Sequence, residues 1–287
     1  MEQKKNDSYE LVLEPDRGWF AIDWRSLWHY RDLLYFLVRR EFISKYKQTI
    51  LGPIWFIIQP LLTTVVFTVI FGNIAKIPTN HIPPILFYLC GLLPWAYFAQ
   101  CLSSISSALI SNAMIFEKVY FPRLIIPLSI IVSNAFMFLL QLAVFLGFYA
   151  YFKCLTPAGT LLDANRFIFW LPLLLLQTAA ISLGVGLLVA SMTVKYRDFQ
   201  HLVGFSIQLW MYATPIIYPL SVIPRKWKLL FVLNPMSGIV EGYRYAFFGT
   251  GFVNADYMIC SAIVTVLVLI AGILVFNKIE RTFVDTI

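Results

Sequence analysis

The chain alternates between long runs without a charged residue and short charged connections. Six charge-free runs stand out, at residues 54–75, 77–116, 124–152, 167–194, 199–224 and 257–277. Each exceeds the ~20 apolar residues that carry a helix across about 30 Å of hydrocarbon. The pattern predicts an all-α polytopic membrane protein with six transmembrane helices. A seventh run, 229–240, has 12 residues and is too short to cross. With Tyr218-Pro219, Pro224, Asn234-Pro235 and Gly238 around it, this run predicts short re-entrant helices between spans five and six.

Ahead of the first run lies a different periodicity. Over residues 24–47, helical spacing puts Trp24, Leu27, Trp28, Leu34, Tyr35, Val38, Phe42 and Tyr46 on one face. Arg25, His29, Asp32, Arg39, Arg40 and Lys47 fall on the other, while Arg31 sits on the apolar side. A basic helix with aromatics on its apolar face is expected to lie in the membrane plane. The alternative, a helix packed on a soluble domain, lacks a domain to pack on. The domain plan is therefore an N-terminal segment 1–23, an amphipathic interfacial helix 24–47 and a six-span transmembrane domain 48–287. The first apolar run follows some 50 mostly polar residues, so no cleavable leader is expected.

Composition agrees with the pattern. The chain of 287 residues is 60% hydrophobic and 13% charged, against about 25% charged in average soluble domains. Its net charge of +7 would suit a nucleic-acid binder, but in a membrane protein the position of the basic residues matters more than their sum. With the N-terminus inside, 15 of the 22 Lys and Arg residues fall on the cytoplasmic side, nine of them within residues 1–53. Both termini are therefore expected in the cytoplasm. The outer side still carries Lys76, Lys153, Arg166, Arg225, Lys226, Lys228 and Arg244. Cys90, Cys101, Cys154 and Cys260 show no CxxC spacing and read as small packing residues, with neither a disulfide framework nor a metal site expected.

Several chemistries have no sequence support. The chain contains no GxxxxGK[ST] loop and no Gly-Lys dipeptide, so it is expected to bind no ATP itself. No HExxH or loop DxD supplies a metal-ligand set. His29 and Asp32 stand one helical turn apart but belong to a solvated basic row. The six runs contain no carboxylate, and only His81 and His201 titrate near their ends. Ion-coupled transporters usually place an ionisable group at the midplane. Energy for transport would then come from a partner.

What the runs do carry is neutral polarity beside aromatic rings. Trp55, Gln59 and Thr63 align on the first span, Tyr88, Trp95 and Phe98 on the second, with Gln100 and Ser103–Ser107 beyond; Gln208 and Tyr212 share a face with Pro215 and Pro219 on the fifth. Amides, hydroxyls and ring faces suit a sugar polymer lining a pore. They also suit interhelical packing, and residue by residue the two roles are not separated. Ser182, Gly186 and Ala190 form a small-residue face expected to meet another helix. Pro94, Pro127, Pro172 and Pro215 are expected to kink their spans.

A family resemblance rests on motifs in order. These are YKQTILGPIWFIIQPLL at 46–62, EKVYFPRLIIPL at 117–128, KYRDF at 195–199, TPIIYP at 214–219, LNPMSGIVEGYRYAFFG at 233–249 and FNKIERTFVDTI at 276–287. Across about residues 25–287 the chain resembles the membrane subunit of a type-2 ABC exporter, in the branch exporting lipid-linked polysaccharides such as O-antigen, capsule or teichoic acid. The resemblance implies a homodimeric pore in the bacterial inner membrane, with two nucleotide-binding subunits below it that hold ATP and Mg. It implies a coupling segment at 112–123, with Glu117, Lys118, Tyr120 and Arg123 near the ATPase. It also implies a second contact through the helix bearing Trp24, Trp28, Arg39 and Arg40, and an external re-entrant gate at 220–249. The chain itself would be a transport subunit without an ATPase site. Alternatives of different cargo or class are an exporter of a lipid or drug with the same build, and a membrane-embedded glycosyl- or acyltransferase. Residues 1–23 lie outside the matched pattern.

Overall fold

A computed structural model describes residues 24–47, 52–116, 119, 121–162, 164–196, 198–251 and 254–283. The described residues are helical, with no strand among them. Two helices open the described residues, α1 (Trp24–His29) and α2 (Arg31–Tyr46), so the expected single amphipathic helix is broken at Tyr30. Its apolar face also divides. Phe42 sets its ring against Phe136 at 6.4 Å, whereas Trp28 and Tyr35 are each 71% exposed, and the buried residue of α2 is Leu37, which lies outside the expected face.

Among the described residues, five helical stretches are long and apolar enough to cross a membrane. They comprise α3 (Trp55–Phe67) with its continuation Thr68–Ile74, α4 (Pro84–Ser106), α7 (Ile125–Leu155), α8 (Leu171–Lys195) with the turn before it, and α12 (Ala255–Phe283). Between α4 and α7 stand two single turns, α5 (Ala108–Ser111) and α6 (Ala113–Phe116). The run 77–116 thus yields a span of only 23 residues. Its beginning is a tight turn in which Asn80 and His81 take positive φ and Thr79 donates to the Ile82 carbonyl at 2.7 Å.

The expected fifth span takes another form. Helix α9 (Phe199–Tyr212) has 14 residues, which reach about 21 Å at 1.5 Å per residue. It stops because Thr214 precedes Pro215, which lacks an N–H and disfavours helical backbone before it. Two further helices follow, α10 (Arg225–Leu233) and α11 (Pro235–Phe248). Sequence rules delimit α11 closely: Asn234 caps it by accepting from the Met236 N–H at 3.1 Å, Pro235 takes the first position, and Gly249 ends it at φ +64°. Of the prolines expected to kink spans, Pro94 lies inside its helix; Pro127 and Pro172 occupy first turns, where no helical hydrogen bond is lost, and Pro215 terminates α9.

Packing follows residue size. The small face of α8 does meet another helix: a Cβ on Gly186 would come within 2.8 Å of Ile105 on α4. Ser182 and Ala190 are buried beside it, and Thr193 donates to the Ser106 carbonyl at 2.8 Å. On its other side α8 meets α12 backbone to backbone at Gly184 and Gly272, and Gln177 donates to Ser261 at 2.7 Å. Cys90 and Cys101 are buried packing residues, as expected, while Cys154 is exposed.

Candidate functional site: a neutral cleft beside a clamped helix break

Helices α3, α4, α7 and α9 enclose a cleft of about 430 Å³. Its polar wall consists of Gln59 and Thr63 from α3, Gln100 and Ser103 from α4, and Asn134 and Gln141 from α7. The apolar wall carries Phe56, Trp95, Tyr97 and Phe138, closed along α9 by Gly204, Ile207 and Met211. Gln59, Gln100, Ser103 and Gly204 on its rim are exposed.

The geometry of α3 explains one wall. Pro60 has no N–H, so the Phe56 carbonyl four residues earlier loses its helical partner. Gln141 from α7 donates its amide to that carbonyl at 3.0 Å. This stitches α3 to α7 across the cleft. Thr63 and Thr64 turn their hydroxyls back to the carbonyls of Gln59 and Pro60, and the helix then widens into a rare π-turn over Thr68–Ile74.

Of the residues expected to line a pore, Gln59, Thr63 and Trp95 meet in this cleft. The others do not line it. Trp55 stands half-exposed at the start of α3, where its neighbour Phe56 faces inward. Tyr88 is fully buried between Phe67 and Phe87. Phe98 is fully buried behind the wall, between Trp95 at 5.2 Å and Trp210 at 5.0 Å. Gln208 and Tyr212 are exposed on α9, one residue past the cleft-facing Ile207 and Met211; one residue is about 100° of helix rotation.

Glu117, Lys118 and Tyr120 of the expected coupling segment lie outside the described residues, as does the side chain of Trp24. Arg123 sets its guanidinium 5.3 Å from the Phe116 ring, closing the segment on itself. Arg39 is exposed, and Arg40, also exposed, donates to Asn112 Oδ1 at 3.2 Å. The expected interfacial and coupling elements therefore touch.

At the opposite end of the bundle the break after α9 is held by two side chains, Asn234 and Arg244, to which the sequence pattern assigned no such role. Asn234 donates to the Ala213 carbonyl at 3.1 Å and to Thr214 Oγ1 at 3.0 Å, and accepts from Trp210 Nε1 at 3.0 Å. Arg244 donates to the carbonyls of Pro215 at 2.5 Å and Ile216 at 2.7 Å, and to Glu241 at 3.0 Å. Both charged residues are essentially buried, at 1% and 2% exposure. Arg244 was expected among the loop charges; it belongs to the core. Irregular backbone inside such a bundle needs partners of this kind, because no water is there to satisfy it. The available signal was the i,i+3 spacing of the two charges in an otherwise neutral, Gly-rich stretch.

These features sit inside a shared family pattern. Residues 32–248 match the ABC-2 type transporter family, and the chain belongs to it. Over 267 residues it is 30% identical to the O-antigen export system permease protein RfbA of Myxococcus xanthus, covering 92% of this chain and 98% of that one. The Klebsiella pneumoniae permease of the same name is 26% identical over 88% of this chain and 94% of its own. The polysialic acid transport protein KpsM of Escherichia coli is 24% identical over 73% and 79%.

Proposed function

We propose that this chain is the membrane subunit of an ATP-driven exporter that moves a lipid-linked polysaccharide across the bacterial cytoplasmic membrane. The observation that carries the proposal is the cleft. Its rings offer faces on which sugar C–H groups stack, and its amides and hydroxyls both donate and accept, as sugar hydroxyls do. Two copies would form the pore, and two separate nucleotide-binding subunits holding ATP and Mg would supply the energy. In this arrangement both termini face the cytoplasm, and α9 with the clamped segment after it completes a sixth crossing. The helices of residues 24–47 lie at the cytoplasmic surface, and 220–249 forms the external gate region.

Coupling then has a mechanical route. Segment 112–123 joins α4 to α7, and these two helices carry the cleft walls bearing Trp95, Gln100 and Ser103 on one side and Asn134, Phe138 and Gln141 on the other. Closure of the ATPase pair against that segment, with Glu117, Lys118, Tyr120 and Arg123 as its contact, shifts both walls as rigid bodies. No change of protonation is needed in the path.

Co-purification, and reconstitution with the ATPase subunit so captured, tests this. The complex is expected to hydrolyse ATP and the purified chain alone to hydrolyse none. Deletion of the gene is expected to remove a surface glycan. Intrinsic hydrolysis by the chain, or an unaltered cell surface after deletion, overturns the assignment.

A further inference from the structure

The described lining of the cleft carries no charge, and this narrows its cargo. The six amide and hydroxyl side chains named above are all neutral, and among the described residues that line the cleft none is Asp, Glu, Lys, Arg or His. The Tyr97 hydroxyl is spent on the Ile131 carbonyl at 3.2 Å. Among the four helices that enclose the cleft, α3 and α4 contain no charged or titratable cation, α9 contains only His201, exposed and outside the cleft lining, and α7 contains only Lys153 in its last turn. That ammonium lies over the ring of Tyr149, 5.9 Å from its centroid. The buried Arg244 has its guanidinium engaged by Glu241, two carbonyls and the Phe87 ring, so it offers no cation to the cleft.

A carboxylate or phosphate on a polymer only accepts hydrogen bonds, and it brings a charge that apolar walls penalise unless a cation meets it. Pores that pass anions meet this with Arg or Lys along the path. A neutral sugar needs partners that donate and accept, and Gln59, Gln100 and Ser103 stand exposed on the cleft rim for that, while Thr63 and Gln141 already spend a donor each on a backbone carbonyl.

We propose that the cleft selects an uncharged glycan: repeat units of neutral hexoses, deoxyhexoses or N-acetylated sugars, without uronic acid, sialic acid or phosphate. The selection applies to the repeats, not to the single lipid-linked end. It rests on the polysaccharide-export assignment above and names the charge class of that cargo.

Two measurements test it together. The first is the composition, by NMR and electrophoretic mobility, of the surface polymer lost when the gene is deleted. The second is complementation of the deletion strain with Gln100→Glu and Gln100→Lys, with Ser103→Asp and Ser103→Lys as a second pair, each checked for wild-type level in the membrane fraction. The expected polymer is uncharged. Either sign of inserted charge is expected to lower its export alike, on the order of tenfold, because a neutral cargo supplies no counter-charge to either. An acidic polymer, or Lys variants that export while the Glu and Asp variants fail, overturns the uncharged-cargo proposal and leaves polysaccharide export standing. Normal export by all four variants removes the cleft from the path and overturns the proposal as well. Unchanged surface glycans in the deletion strain overturn the export assignment itself and the cargo class with it.

Discussion

Arg244 holds its guanidinium over the ring of Phe87, 3.7 Å from the ring centroid. That contact joins α11 to the first turns of α4, while the same guanidinium bonds the backbone that leaves α9. One side chain thus ties three elements together. Arg244→Ala leaves the Glu241 carboxylate buried without its cation and removes the donor from two carbonyls. The expected cost is about 3–5 kcal/mol, seen as a lowered thermal unfolding midpoint in detergent. Arg244→Lys should recover only part of it, because an ammonium cannot serve the forked acceptors and the ring together. Glu241→Gln should be the mildest of the three, since Arg244 keeps its carbonyls and its ring. A midpoint for Arg244→Ala equal to that of the unaltered protein would refute the clamp.

Asn234 offers a second test on the same break. Its carbonyl oxygen caps α11 and accepts from Trp210, while its amide nitrogen holds Ala213 and Thr214. Asn234→Asp keeps the cap and loses the donor; Asn234→Ala loses both. The Ala variant is expected to cost about 1–3 kcal/mol and the Asp variant less. Tryptophan fluorescence should also report loss of the Trp210 bond in the Ala variant alone. Equal effects of the two substitutions would mean that the cap contributes nothing.

Backbone contact between α8 and α12 predicts a sharp contrast between glycines. A Cβ at Gly184 would lie 2.7 Å from the Leu269 Cα, and one at Gly272 would collide with the Gly184 carbonyl. These neighbours are backbone and cannot swing aside. Gly272→Ala is expected to destabilise the bundle by about 1–3 kcal/mol through overpacking. Gly147→Ala on α7 meets nothing within 4 Å, and there the better helix propensity of Ala should leave stability unchanged or slightly raised. The pair is read by thermal unfolding, and the idea fails if Gly272→Ala is as stable as Gly147→Ala.

How much of this was legible in the sequence depends on the kind of information each feature needs. The small face of Ser182, Gly186 and Ala190 could be read directly, because residue size alone decides how closely helices approach. The cleft could not. Helix α4 is buried on nearly every side, so Tyr88, Phe98 and Trp95 look alike in sequence although only Trp95 reaches the cleft. On α9 the polar stripe of Gln208 and Tyr212 lies one residue away from Ile207 and Met211, which face the cleft. Gln141 was within reach: Pro60 leaves the Phe56 carbonyl bare, and Asn134, Phe138 and Gln141 fall on one face of an otherwise apolar α7. The end of α9 was also within reach, since Thr214-Pro215 stops a helix locally. The charge-free run continued past that stop, which is why hydropathy alone made a single span of it.

The contact between Arg40 and Asn112 spans 72 residues of sequence and joins α2 to the start of the segment 112–123 proposed for coupling. Both side chains are solvent-accessible, so the bond contributes about 1 kcal/mol or less to stability, and either Ala substitution should leave thermal unfolding unchanged. Its consequence lies in transmission. If α2 and segment 112–123 move as one body when the ATPase closes, loosening the bond lets the segment yield without shifting α4 and α7. Arg40→Ala and Asn112→Ala are each expected to lower polymer exported per ATP hydrolysed, with hydrolysis itself retained. The double substitution should be no worse than either alone, because both remove the same bond. Additive losses in the double variant would show that the two residues act separately, each through its own contact with the ATPase subunit.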